Sequence, residues 1–206
     1  MIGSQQSDFS GDTHPAGFHR TVATVAVLNL AYFGVEIAVA IDQRSVALFA
    51  DGIDFLEDAS INAIILLSLA LSAAFQRRAG YVLAAIILVP GFGALWAAAS
   101  KIAHPAPPAA EALGFVGVGA LAVNAFCALR LARFRRHDSG LVKAAFLSAR
   151  NDVYANLAII AAGAATAFYP SIWPDIAVGV GIFLMNADAA REVVEASRRA
   201  KQEAMP

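Results

Sequence analysis

Six long apolar stretches separated by short polar ones make up almost the whole chain. They run over about 20–40, 46–75, 81–104, 112–134, 140–168 and 176–193. A bilayer core about 30 Å thick is crossed by roughly 20 apolar residues in a helix. The pattern therefore predicts an all-α, polytopic membrane protein with six transmembrane helices. Short segments connect them: Ile41-Asp42-Gln43-Arg44, Gln76-Arg77-Arg78, Pro105-Ala106-Pro107-Pro108, then Arg133 to Asp138, and Tyr169 to Pro174. Pro90-Gly91-Phe92-Gly93 inside the third stretch predicts a kink or a close helix contact. Residues 1–18 form a polar tail without the basic start of a secretory signal, residues 19–197 the six-helix domain, and residues 198–206 a short charged tail.

Charge then orients the helices. Basic residues gather in the second and fourth connections and in the tail at Arg198, Arg199 and Lys201, whereas the third and fifth connections have none. By the positive-inside rule both termini are expected in the cytoplasm, in a multi-pass protein of the cell membrane. Composition agrees with a membrane location. Of 206 residues, 59% are apolar and 15% charged, against about half and a quarter in ordinary globular chains, and mean hydropathy is +0.63. A net charge of -1 gives no case for nucleic acid, and one cysteine, Cys127, excludes an intramolecular disulfide framework.

The costly residues are the acids of the second stretch, Asp51, Asp54, Glu57 and Asp58. An ionisable residue inside a membrane marks a functional site by default. At 100° per residue, Asp51, Asp54, Asp58 and Asn62 fall within an arc of about 80°, and Glu57 lies off it. Asp54 and Asp58 are one turn apart, so both carboxylates can reach a single point. Two such charges repel unless a cation or proton intervenes. In the fifth stretch Ser148, Asp152 and Asn156 are spaced by four, with Asn151 on the flank.

If the two helices are neighbours, Asp54, Asp58 and Asp152 could surround one ion, with Ser148 or Asn151 completing the shell. That oxygen-rich set suits Mn²⁺, Mg²⁺ or Ca²⁺, and Zn²⁺ also accepts carboxylates. The competing reading of Asp54 and Asp58 is a pair of hydrogen-bonded structural acids. Asp51 is either helix-orienting or part of an outer vestibule. Asn29 and Glu36, seven apart on one face of the first helix, are expected to make interhelical hydrogen bonds. Arg150 points away from the stripe, with Glu57 a possible partner. The four histidines, His14, His19, His104 and His137, lie in the tail or near helix ends and fall on neither stripe.

These features resemble the cation diffusion facilitator family of divalent-metal transporters over essentially residues 20–200. Asn29 with Glu36, then Ser45-Val46-Ala47-Leu48-Phe49-Ala50-Asp51-Gly52-Ile53-Asp54 leading to Asp58, look like its first two helices. Pro105-Ala106-Pro107-Pro108 resembles its loop after helix three, Val142-Lys143-Ala144-Ala145-Phe146-Leu147 before Ser148 its fifth helix, and Trp173-Pro174-Asp175 the entry to its sixth. In that family, helix two supplies Asp or His and an Asp four later, and helix five usually His and Asp. By position these are Asp54, Asp58, Ser148 and Asp152, the last pair departing from the pattern at Ser148. The second departure is a short form lacking the C-terminal cytoplasmic domain.

The resemblance implies a secondary transporter that exports divalent cations of the Zn, Mn, Fe or Co class by proton antiport, as a homodimer in the lipid bilayer. It implies no enzyme activity and no prosthetic group, the metal being cargo. A non-transporting membrane subunit or regulator of the same family is the alternative. An intramembrane aspartyl protease is disfavoured, since Asn151 precedes Asp152 and no Gly-x-Gly-Asp motif is present.

Overall fold

A computed structural model describes residues 17–68, 92–134 and 140–203. Six helices form from the apolar stretches: α1 (Phe18–Gln43), α2 (Val46–Ser68), α3 (helical over 92–103), α4 (Ala110–Ala132), α5 (Gly140–Phe168) and α6 (Trp173–Glu203). No strand occurs among the described residues. The polar tail before residue 17, the basic connection Gln76-Arg77-Arg78, Pro90 with Gly91, and His137 lie outside them. Among the described residues, two helices, Phe18–Gln43 and Ala110–Ala132, are long and apolar enough to cross a membrane on length and composition alone. Helix α2 has the length but carries four acids.

The largest departure from expectation is α6. It begins three residues early, at Trp173, and runs on to Glu203, so that Arg198, Arg199 and Lys201 sit on the helix rather than in a separate tail. Pro174 in the first turn costs no hydrogen bond there and pre-sets the backbone for a helix.

The turn from α1 to α2 is tight. Arg44 adopts a left-handed conformation (φ 49°) and its N–H reaches the carbonyls of Ala40 and Ile41, while Ser45 N–H donates to Ala40 O at 2.9 Å. Ser45 then caps α2, its Oγ accepting from Leu48 N–H at 3.1 Å. The next two free amides of α2 are met by a residue far along the chain. Asp175 accepts from Val46 N–H at 2.9 Å, from Ala47 N–H at 3.2 Å and from Ser45 Oγ–H at 2.5 Å. Lys101 of α3 balances this carboxylate with a buried ion pair at 2.5 Å and also donates to Arg44 O at 2.8 Å. The start of α2, the end of α3 and the start of α6 are thereby tied together. α6 can come this close because residue 179 is glycine: a Cβ there would stand 2.6 Å from the carbonyl carbon of Val46.

Helix α2 is the hub, packing against α1, α4, α5 and α6. Two main apolar clusters hold the bundle. One joins Phe18, Val22 and Val25 of α1 to Ile65, Cys127, Leu131, Ala145 and Ala149. The other joins Ala40 to Leu48, Ala50, Leu113, Ala155, Ile159 and Ile182. On α2 the clusters are anchored at Ile65 and at Leu48 with Ala50, and on α5 at Ala149 and Ala155. The residues between these anchors are where the acids fall.

Candidate functional site

Asp54, Asp58 and Asp152 all lie between the two apolar clusters and are almost fully withdrawn from solvent. Their burial follows from position along α2 and α5, since the apolar anchors above and below them leave no room to turn outward. α2 and α5 are in contact, so the two stripes expected from the sequence do share one interface. Ser148 and Asp152 of α5 are near neighbours of Asp58. From the other side Asn29 of α1 donates to Asp58 Oδ2 at 3.5 Å, and Asn29 Oδ1 in turn lies 3.8 Å from Cys127 Sγ. Asp58 Oδ1 has no hydrogen-bond partner.

A small cavity of about 70 Å³ opens at this level. Asp54, Glu57, Ser148, Asn151, Asp152 and Asn186 line it, with Ala155, Ile182 and Met185 as its apolar wall. Asn186 of α6 donates a hydrogen bond to Asp54 Oδ1. Four of the expected site residues, Asp54, Ser148, Asn151 and Asp152, therefore face one space, while Asp58 neighbours Ser148 and Asp152 without lining it. Among the described residues no three His, Cys, Asp or Glu side chains converge closely enough to hold one metal ion as they stand.

Two expected members stand elsewhere. Asn156 donates to Asp51 Oδ2 at 2.6 Å and accepts from Asn124 Nδ2 at 3.1 Å, forming a buried polar chain across α2, α5 and α4. Asp51 is also within reach of Glu36. Neither Asp51 nor Asn156 lines the cavity. Asn29 makes the interhelical bond expected of it, whereas both oxygens of Glu36 lack a donor.

Two cavity residues were not expected. Glu57 was placed off the polar arc, with Arg150 as its possible partner; instead it lines the cavity, while Arg150 is exposed and donates to Asn151 Oδ1 at 3.3 Å. The reason is angular. Asp54 marks one edge of the arc and Glu57 lies only about 60° beyond it, and the cavity centres on that edge. Asn186 could have been found as a polar residue inside the apolar run of the sixth helix. Neither described histidine lines the cavity, and His19 and His104 are exposed; His14 and His137 lie outside the described residues.

A helical bundle with acids held between two apolar layers, facing an ion-sized cavity, has the architecture of a membrane protein that handles cations. The cation efflux transmembrane domain matches residues 22–200, and the chain belongs to that family, the cation diffusion facilitators, which are transporters of metal cations. No curated protein matches the chain significantly.

Proposed function

We propose that this protein exports divalent metal cations from the cytoplasm in exchange for protons, with Asp54, Asp58 and Asp152 as the principal ligands and Ser148 and Asn151 as neutral oxygen donors. The observation that carries the reading is the meeting of α2 and α5 carboxylates at one cavity between two apolar layers. Buried acids are expensive to keep without a compensating charge, and a passing cation supplies one. When the ion leaves towards the outside, protons take its place on the same carboxylates, so the empty site need not return charged. In this reading all six helices span the cell membrane, both termini are cytoplasmic, and the protein works as a homodimer. Asp51 and Asn156 orient α2 against α5 rather than bind the ion.

The test is uptake of Mn²⁺, Zn²⁺, Fe²⁺ and Co²⁺ into sealed vesicles with an imposed proton gradient. Asp54→Asn and Asp152→Asn are expected to abolish transport, and wild-type rates from either would sink the site assignment. The rival reading, a non-transporting subunit of the same family, draws on Ser148 and on the failure of any three acids to converge. It predicts no divalent-metal binding by the purified protein in calorimetric titration.

A further inference from the structure

Glu57 is a carboxylate that neither the polar stripe nor the family pattern of helix two accounts for. It is 8% exposed and lines the same cavity as Asp54 and Asp152. It makes no ion pair, the one among the described residues being Lys101 with Asp175, and none of them donates a hydrogen bond to it. A carboxylate on a residue this far withdrawn from water, with neither partner and lining a cavity, calls for a compensating cation there. Asp54, one turn earlier on the same helix, has its Oδ1 held by Asn186, which leaves its other oxygen free for an ion. Residues three apart on a helix have Cβ atoms about 5–6 Å apart, so the two carboxylates can close on one ion.

We propose that Glu57 is a ligand of the transported cation, entering from α2 where Ser148 of α5 offers no nitrogen. This rests on the efflux reading above. The donor set is then Asp54, Asp58 and Asp152 joined by Glu57, with neutral oxygens from Ser148 and Asn151, and contains neither imidazole nor thiolate. Such a set favours hard cations of the Mn²⁺ and Mg²⁺ kind, whereas nitrogen and sulfur donors favour Zn²⁺. The cavity of about 70 Å³ is roughly twice the volume share of one water, so an ion that keeps a water ligand fits as Mn²⁺ and Mg²⁺ require. Binding draws the separated carboxylates inward.

The experiment is calorimetric titration of the full chain in lipid nanodiscs with Mn²⁺ and with Zn²⁺. Glu57→Gln is expected to weaken Mn²⁺ at least about tenfold, the lower end of what losing even an outer-shell partner costs, and to weaken Zn²⁺ less. If Glu57→Gln binds Mn²⁺ as the wild type does while Asp54→Asn and Asp152→Asn lose binding, Glu57 is no ligand and the efflux site stands without it. If all three bind as the wild type does, the site itself is wrong and this inference falls with it. Should Glu57→Gln fail to fold, Glu57→Asp carries the test: a ligand drawn back by one methylene must lose Mn²⁺ affinity severalfold, and unchanged affinity overturns the proposal.

Discussion

Replacing Lys101 with methionine tests how α2, α3 and α6 are held together around Asp175. The side chains of Lys101 and Asp175 are 2% and 0% exposed and 2.5 Å apart, so the substitution strands a charge rather than weakening a surface pair. Breaking a buried pair by removing one partner costs about 3–5 kcal/mol. Here Asp175 keeps Ser45 Oγ–H and the amides of Val46 and Ala47 and still faces the positive end of α2. The loss therefore belongs at the lower limit, about 3 kcal/mol, or a factor on the order of 100 in the folding equilibrium. Asp175→Asn should cost a similar amount, because it strands Lys101 instead. The double variant Lys101→Met/Asp175→Asn should lose clearly less than the sum, since neither charge is left alone. Reversible unfolding in mixed micelles, followed by the fluorescence of Trp96 and Trp173, gives all three values. A loss below about 1 kcal/mol for Lys101→Met, or strict additivity in the double variant, would refute a tightly paired, desolvated bridge.

Three other outcomes are expected. Gly179→Ala should lower the melting temperature, at a cost of about 1–3 kcal/mol for overpacking, because its Cβ would meet the Val46 backbone. Gly181→Ala, two residues on and with open space around it, should be neutral or stabilising by up to about 1 kcal/mol; equal effects from the two would remove the close approach of α6 to α2. Asn156→Leu should destabilise by about 1–3 kcal/mol through the buried acceptor left on Asp51, while Mn²⁺ affinity of the folded fraction stays near wild type; loss of binding would return Asn156 to the ligand shell. Finally, Mn²⁺ binding should release protons and weaken as pH falls, because carboxylate ligands must be deprotonated; titrations in buffers of different ionisation enthalpy count those protons, and a pH-independent affinity would rule out carboxylate ligation.

The helices were legible from the apolar runs, and the facing stripes of α2 and α5 were legible from the spacing of Asp54, Asp58, Ser148 and Asp152. Both signals are local, set by the 3.6-residue period and the length of a span. What stayed hidden was the rotation of α2 against its neighbours. An arc drawn on one helix does not say which edge faces the partner, so Glu57 was misplaced by about 60° of helix turn, and the pairing of Asp51 with Asn156 away from the cavity could not be read from it. The Lys101–Asp175 bridge was hidden for another reason. Each residue ends an apolar run, where a lone charge ordinarily reaches out to water, and only the fold brings positions so far apart in sequence onto the first turn of α2. The length of α6 was missed because its last turns are amphipathic rather than apolar.

The close contact at Gly179 makes α6 a lever. At that point α6 rests on Val46 of α2 with no side chain of its own between them, and Asn186, which grips Asp54, lies seven residues further on. Seven residues of helix are about 10.5 Å. A tilt of α6 by about 10° around the glycine would swing Asn186 by roughly 1.8 Å, which is enough to break its hydrogen bond. The ends of α2, α3 and α6 stapled through Asp175 would hardly move. On the efflux reading, release of the Asp54 carboxylate would need only a small pivot about a fixed point, with the apolar cluster around Ile182, midway along that arm, giving way.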